Sequence, residues 1–183
     1  MYTALSALNK EQVNIVTVED PVEADIEGIN QIQVNNKVNL TFASALRSIL
    51  RQDPDIIMIG EIRDQETASI AVQASITGHL VVSTMHTNNA VGTLNRMADM
   101  GIARYLISDA IIGVIAQRLV RKLCPHCRKK RLATDEEKRI LKRSAAEQTE
   151  IYESGGCRLC SNTGYFGPVS YTHLRAHETG RNL

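Results

Sequence analysis

The sequence has 183 residues, of which 43% are hydrophobic, 22% are charged and 4% are aromatic, and its net charge is +1. This length fits one domain, or one domain with a small appendage, and the few aromatic residues predict an aliphatic core. No apolar run reaches the roughly 18 residues of a membrane span, and the first residues do not resemble a signal peptide. These features exclude a membrane-spanning chain and predict a soluble intracellular protein.

The charge is unevenly distributed along the chain. Residues 1–122 carry 10 Lys and Arg against 13 Asp and Glu, whereas residues 123–183 carry 11 against 7. The change of sign coincides with the first cysteine pair, in the stretch RKLCPHCRKK. It therefore predicts a domain boundary between residues 122 and 123.

The part before this boundary alternates between two kinds of pattern. Short runs rich in Val and Ile predict strands buried on both faces, at residues 14–20, 54–62 and 79–86. Helical patterns occupy residues 41–52, 65–77, 89–101 and 105–123, and a charged helical stretch follows at 134–152. Thr41 suits a helix start, and Gly78 and Gly101 suit helix ends. The alternation predicts an α/β fold with a mostly parallel sheet flanked by helices.

Polar and charged residues follow the ends of all three predicted strands. They are Glu19 and Asp20, then Glu61, Arg63 and Asp64, then Thr84, His86 and Thr87. The carboxyl ends of parallel strands share one edge of the sheet, where ligands bind. A phosphoryl-transfer site needs carboxylates to place Mg²⁺ and water, with cations around the transferred oxygens. The residues alone leave a second interpretation open, namely that these side chains simply meet water at the strand ends.

Several long motifs resemble one family in the correct order. Residues 50–64, LRQDPDIIMIGEIRD, resemble the signature segment of the ATPases that power type II secretion and type IV pilus assembly. NIVTVEDPVE at 14–23 resembles the acidic box of that family, and TGHLVVSTMHTNNA at 77–90 resembles its histidine box. The resemblance extends from residue 3 to about residue 167 and implies a partial RecA-like P-loop NTPase core.

The resemblance also implies ligands and partners. It implies ATP and Mg²⁺ as ligands, a homohexamer of like subunits, and docking from the cytoplasmic side onto inner-membrane platform proteins of a secretion or pilus system. It implies the Walker B position for Glu61, which would face Mg²⁺ and the attacking water. Glu19, with Asp20 beside it in the acidic box, becomes a second candidate for water activation. No nucleic acid is expected.

The remaining site residues carried over by resemblance are basic or imidazole side chains. His86 and His79 belong to the histidine box, and His86 is the stronger candidate for a γ-phosphate sensor. Arg51 and Arg63 occupy basic positions near the nucleotide or a subunit interface. For Arg63 an ion pair with Asp64 or Glu66 remains an equal alternative.

A phosphate-binding glycine loop is not found in the sequence. No G-x-x-x-x-G-K-[ST] motif occurs, and only Gly28 precedes residue 53. In the family this loop lies directly before a helix that resembles YTALSALN at residues 2–9. The sequence is therefore expected to be a fragment that begins just after the loop and that does not hydrolyse ATP alone.

The cysteines form two close pairs that predict a metal site. Each pair has the spacing C-x₂-C, and the four thiolates can hold a tetrahedral Zn²⁺: Cys124, Cys127, Cys157 and Cys160. Four unligated cysteines are the alternative. Many members of the family carry such a four-cysteine zinc knob here, predicted at residues 123–167, whereas pilus retraction motors generally lack it.

Two further interpretations concern the carboxyl-terminal part. Cys157, Cys160, His173 and His177 have the spacing of a C₂H₂ finger, but that set would leave the first cysteine pair unused. The basic run CRKKR also suggests a zinc-dependent nucleic-acid-binding module, against which a solvated basic surface is favoured. Residues 168–183 do not resemble the family and are predicted to be a non-native tail.

Overall fold

A computed structural model describes the backbone of residues 1–176 and the side chains of residues 1–167. The first half of the chain builds a four-stranded sheet in the order β2-β1-β3-β4, in which every neighbouring pair is parallel. The helices and strands of this half are α1 (Tyr2–Leu8), β1 (Ile15–Glu19), β2 (Asn30–Gln33), α2 (Phe42–Ile49), β3 (Ile56–Ile59), α3 (Gln65–Ile76), β4 (Leu80–Ser83), α4 (Ala90–Asp99) and α5 (Arg104–Ala110). The predicted parallel sheet flanked by helices is confirmed.

Both faces of the sheet are covered, because successive residues of a strand point to opposite faces and every residue of β1 and β3 is buried. On one face Val18 and Ile59 pack against α2, α3, α4 and α5 in the larger apolar cluster. On the other face Ile15 and Met58 pack against Leu5 of α1 in a smaller cluster. Two of the three predicted Val and Ile runs therefore become the inner strands β1 and β3, whereas the third becomes β4, a partly buried edge strand of the described sheet.

Helix ends follow local sequence signals. Thr41 and Ser44 form a capping box at the start of α2, with the Ser44 N–H 3.2 Å from Thr41 Oγ1. Gly78 and Gly101 follow α3 and α4 with φ values of +107° and +88°, a region that glycine adopts without strain. The predicted helix start at Thr41 and helix ends at both glycines are confirmed.

Two predicted helices are wrong in part. Residues 105–123 were expected to form one helix, but α5 ends at Ala110 and β5 (Gly113–Leu123) follows. The segment after Ala110 combines Gly113 with several β-branched residues, which lose side-chain freedom in a helix and favour a strand. The charged stretch 134–152 contains only α6 (Asp135–Ile140), and its end belongs to β7 (Glu150–Glu153).

Residues 117–173 form a second compact unit. Its strands are β5, β6 (Lys129–Leu132), β7 and β8 (Tyr165–Ala176), which pair as β5 with β8 and as β6 with β7. Arg131 on β6 donates hydrogen bonds to Glu137 of α6, and these bonds, followed by the bond from the backbone N–H of Thr134, lower the pKa of Glu137 to about 2.

Within the described residues, no helix is long and apolar enough to cross a membrane.

Candidate functional site

An open cleft of about 390 Å³ lies at the carboxyl edge of the parallel sheet. The ends of β1, β3 and β4 all reach it, as the parallel topology requires. Its polar and charged lining includes Tyr2, Glu19, Asp20, Glu61, Arg63 and His86. The structure thus brings together five of the predicted nucleotide-site residues, together with Tyr2, which the sequence analysis did not select.

Glu19 is the last residue of β1 and is only 4% exposed. Its Oε1 accepts hydrogen bonds from Thr17 Oγ1 at 2.5 Å and from Gln31 Nε2 at 3.1 Å. Its Oε2 accepts a hydrogen bond from the Tyr2 hydroxyl. Burial, and then this bond to Glu19, raise the pKa of Tyr2 above its usual value, so the hydroxyl keeps its proton. Neutral donors therefore compensate the buried carboxylate.

Glu61 follows β3 and is compensated by basic side chains instead. Its side chain is 12% exposed and forms an ion pair with Arg63 Nε through Oε1. Its Oε2 lies 2.9 Å from Nε2 of His86, whose own side chain is 90% exposed. The carboxylate is thus held at the cleft wall, while His86 lies on a loop with room to move. The predicted grouping of Glu61 with His86 and Arg63 is present.

The alternative ion pairs for Arg63 are not formed. Asp64 caps α3 instead, with its Oδ1 accepting a hydrogen bond from the Thr67 N–H at 2.8 Å. Glu66 forms its ion pair with Arg47. The Arg63 side chain is therefore directed to Glu61 and the cleft.

Gly60 allows the ends of β1 and β3 to approach closely. Its N–H donates to the Val18 carbonyl at 2.8 Å, and its carbonyl accepts from Thr84 Oγ1 at 2.6 Å. A Cβ at this position would lie 3.3 Å from Glu19 Cα and from the Val18 oxygen. A larger residue here would crowd the residue that carries the buried carboxylate.

Arg51 and His79 are not brought to the cleft. Arg51 lies in the turn between α2 and β3, and His79 precedes β4, where its Nδ1 donates to the Ala74 carbonyl at 2.9 Å. Both positions are at the amino edge of the sheet. A strand of four residues spans about 13 Å at about 3.3 Å per residue, which separates this edge from Glu61. Within one chain, neither side chain joins the acidic residues.

The four cysteines form a cluster in the second unit. Their four Sγ atoms lie within 4.8 Å of one another. The sulfur atoms are 3.9 Å apart for Cys124 and Cys157, and 3.7 Å apart both for Cys127 and Cys160 and for Cys157 and Cys160. A tetrahedral site with Zn–S bonds of about 2.3 Å has sulfur atoms about 3.8 Å apart. The donor set and its spacing therefore fit Zn²⁺.

The surroundings of Cys127 and Cys160 shift the pKa values of these two thiols in opposite directions. Burial raises the pKa of Cys127, with the neighbouring thiols adding to the effect, to about 12. Burial also acts to raise the pKa of Cys160, but backbone N–H groups of Cys157 and Gly164 outweigh it and lower that pKa to about 6. The Gly164 N–H lies 3.2 Å from Cys160 Sγ. One sulfur is thus stabilised as a thiolate by the fold itself.

The cluster favours the four-cysteine ligand set over a C₂H₂ finger. The 3.9 Å contact joins Cys124 to Cys157, so the first cysteine pair is used together with the second. The His173 side chain and the whole of His177 lie outside the described residues. The finger interpretation therefore draws no support from the described structure.

The chain thus has an open parallel α/β sheet with acidic residues at the carboxyl edge of its inner strands, the edge at which this class of fold binds ligands. Residues 1–181 match the family described as Type II/IV secretion system protein. The chain belongs to this family.

Individual relatives agree with this assignment. The type II secretion system protein E of Aeromonas hydrophila is 55% identical over 174 residues, covering 95% of this chain and 35% of the relative. The type II secretion system ATPase E of Vibrio cholerae is 54% identical over the same shares. The crystal structure of the pilus retraction motor PilT with bound ADP has a TM-score of 0.62 and 37% identity, covering 68% of this chain and 39% of PilT.

The matches differ in how much of each sequence they cover, and the family match includes most of the predicted tail. The chain spans about a third of the length of the curated relatives that it matches. The family match includes residues 168–181, so the prediction of a non-native tail finds no support in the extent of this match.

Sequence reasoning missed the donors that hold Glu19. Thr17 lies two residues before Glu19 on the same face of β1, and this spacing is a signal that could have been used. Tyr2 and Gln31 reach Glu19 from α1 and β2, and no local pattern joins them to it.

The cysteine cluster yields a prediction at Gly155. A Cβ at Gly155 would lie 2.1 Å from the carbonyl oxygen of Cys127, whereas a Cβ at Gly156 would lie 3.2 Å from the oxygen of Asn162. We expect Gly155→Ala to destabilise the second unit by about 3 kcal/mol and Gly156→Ala by about 1 kcal/mol, because the first requires a much larger shift of the facing backbone than the second. Urea unfolding of residues 1–183 measures both. Equal stability of the two variants would contradict the described packing.

Proposed function

We propose that this chain is part of a motor ATPase that binds Mg-ATP in the cleft and hydrolyses it. The observation that carries the proposal is Glu61, a nearly buried carboxylate at the end of an inner parallel strand, in contact with Arg63 and His86. This arrangement supplies a carboxylate to orient water, with a guanidinium and an imidazole to contact a phosphate, as phosphoryl transfer requires. PilT, which is similar over 68% of this chain, has been solved with ADP.

In this proposal each side chain has a separate role. Glu61 orients the attacking water, whose oxygen bonds to the γ-phosphorus as the bond to the ADP oxygen breaks, and the water proton leaves through the carboxylate to solvent. Bound Mg²⁺ supplies charge compensation for the phosphates. His86, released from Glu61, contacts the γ-phosphate, and Arg63 stabilises the charge on the transferred group. Glu19, with Asp20 beside it, is the second carboxylate facing the same space.

We assign the system served to type II secretion rather than pilus retraction. Curated relatives named type II secretion system protein E are 55% and 54% identical, whereas PilT is 37% identical. In this proposal the whole protein works as a homohexamer on the cytoplasmic side of the inner membrane, docked onto platform proteins. Arg51 and His79, which lie away from the cleft, then face a neighbouring subunit.

We also propose that the cysteine cluster holds one structural Zn²⁺ through Cys124, Cys127, Cys157 and Cys160. Four thiolates at tetrahedral spacing form a closed site without an open position for water, so its role is structural and not catalytic. The second unit buries few apolar side chains, so metal binding would supply folding free energy that its core does not.

A zinc-dependent nucleic-acid-binding module is not favoured by the basic run CRKKR. Lys130 forms an ion pair with Glu150 at 2.7 Å, and Arg131 bonds both Glu137 and Glu153. The Arg128 guanidinium lies 4.5 Å from the centre of the Tyr152 ring. These three cations already have partners within the unit, so they are less available to the phosphates of a nucleic acid.

The catalytic role of Glu61 can be tested in a hybrid protein. In this hybrid, the part of the chain that aligns with the Vibrio cholerae type II secretion system ATPase E, 174 residues at 54% identity, replaces the matching segment of that protein. We expect Glu61→Gln to lower kcat about 100-fold or more with little change in KM for Mg-ATP, because the lost charge acts mainly in the transition state. Steady-state phosphate release measures this.

The matched control is Glu11→Gln, which makes the same chemical change at an exposed position. It should hydrolyse ATP at the rate of the unsubstituted hybrid. Unchanged turnover in Glu61→Gln would remove Glu61 from the mechanism.

The zinc proposal is tested by metal analysis of purified residues 1–183. We expect one zinc per chain, and its loss in the double variant Cys124→Ser, Cys157→Ser, because serine is a poor ligand for Zn²⁺ at this site. His126→Ala is the control, since this exposed histidine lies within the first pair but outside the cluster. Stoichiometric zinc in the double variant, or its loss in the control, would contradict the ligand set.

A further inference from the structure

We propose that Tyr2 is a positioning residue that fixes the Glu19 carboxylate for ATP hydrolysis. The proposal rests on the function proposed above and extends it to a residue that does not itself touch the nucleotide. Three neutral donors surround Glu19, and Tyr2 is the one that bonds Oε2, while Thr17 and Gln31 bond Oε1. Tyr2 is therefore the donor that fixes the orientation of Glu19 Oε2 toward the cleft.

The Glu19 carboxylate has few hydrogen-bond acceptor positions, and their occupation explains why Tyr2 in particular controls Oε2. A carboxylate has about four lone-pair positions on its two oxygens. Thr17 and Gln31 occupy the two on Oε1, and the Tyr2 hydroxyl occupies one on Oε2. One position on Oε2 remains for a group in the cleft, which Glu19 lines. With 4% exposure, Glu19 has little water to replace a lost donor.

The direction of the Tyr2 hydroxyl is also set by the structure. The backbone N–H of Glu23 donates to the Tyr2 oxygen at 3.1 Å. Since that N–H occupies the oxygen as an acceptor, the hydroxyl proton is directed to Glu19. Tyr2 thus joins the end of β1 to the segment after it and donates to the carboxylate.

Apolar packing of α1 holds the Tyr2 ring in place. Leu5 of α1 is fully buried with Ile15 and Met58 on one face of the sheet, and Tyr2 packs against the same cluster. The position of the hydroxyl is therefore fixed by the sheet and not by the nucleotide. Removing only the hydroxyl leaves this packing intact, so Tyr2→Phe separates positioning from folding.

The test uses the hybrid protein described above. We expect Tyr2→Phe to lower kcat about 10-fold, to leave KM for Mg-ATP within about 2-fold, and to lower the thermal unfolding midpoint by only a few degrees, because the Glu19 carboxylate loses a donor while the apolar packing remains. The control Tyr105→Phe removes a hydroxyl from an exposed tyrosine and should match the unsubstituted hybrid. Unchanged kcat in Tyr2→Phe, or a rise in KM alone, would overturn the proposal.

A double-mutant cycle with Glu19→Gln decides whether Tyr2 acts through Glu19. If it does, Tyr2→Phe lowers kcat in the unsubstituted hybrid but has no further effect in the Glu19→Gln hybrid. Two losses that multiply would show that Tyr2 acts independently and would overturn the proposal. Glu61→Gln in the same assay reports on the proposed hydrolysis itself, so failure of that function is distinguished from failure of the Tyr2 assignment.

Discussion

The parallel pairing of β1 with β3 is the interaction on which the cleft depends. It aligns Val18 with Ile59, so that Glu19 and Glu61 leave the sheet at the same edge, and Gly60 lets the two strand ends approach. Two carboxylates so placed would repel each other if both lacked compensation. Neutral donors hold Glu19, and Arg63 and His86 hold Glu61. The two similar side chains therefore have different partners: Glu19 is held by neutral donors in a buried position, and Glu61 is held by side chains that are themselves exposed.

The second unit depends on a different constraint. Among its described side chains few apolar ones are buried, and Leu132 and Leu159 are exposed, whereas Cys124 and Cys160 are buried. The four clustered sulfur atoms take the place of a larger apolar core in this unit. The backbone packs closely beside them, since a Cβ at Gly155 would overlap the carbonyl oxygen of Cys127. Small domains commonly need such a link because they bury too little apolar surface.

The parts of the structure that the sequence predicted are those with local causes. Val and Ile runs mark the inner strands, Thr41 and Gly78 mark helix ends, and close C-x₂-C pairs mark the cysteine cluster. The second part of the helix predicted at residues 105–123 forms β5 instead, because its β-branched residues favour a strand and this strand pairs with β8, which is distant in the sequence. The same reason hid the bond between Tyr2 and Glu19, which lie 17 residues apart. Arg51 and His79 sit in family-like motifs, yet the motif order does not tell which edge of the sheet they occupy.

The location of bound nucleotide tests the central claim most directly. A crystal structure of the hybrid protein with Mg²⁺ and a non-hydrolysable ATP analogue would show where the γ-phosphate lies relative to Glu61 and Glu19. The expected result is a γ-phosphate in the cleft, with His86 moved from Glu61 to the phosphate and the hydroxyl of Tyr2 still bonded to Glu19. A nucleotide bound away from the carboxyl edge of β1 and β3 would contradict the assignment of this cleft.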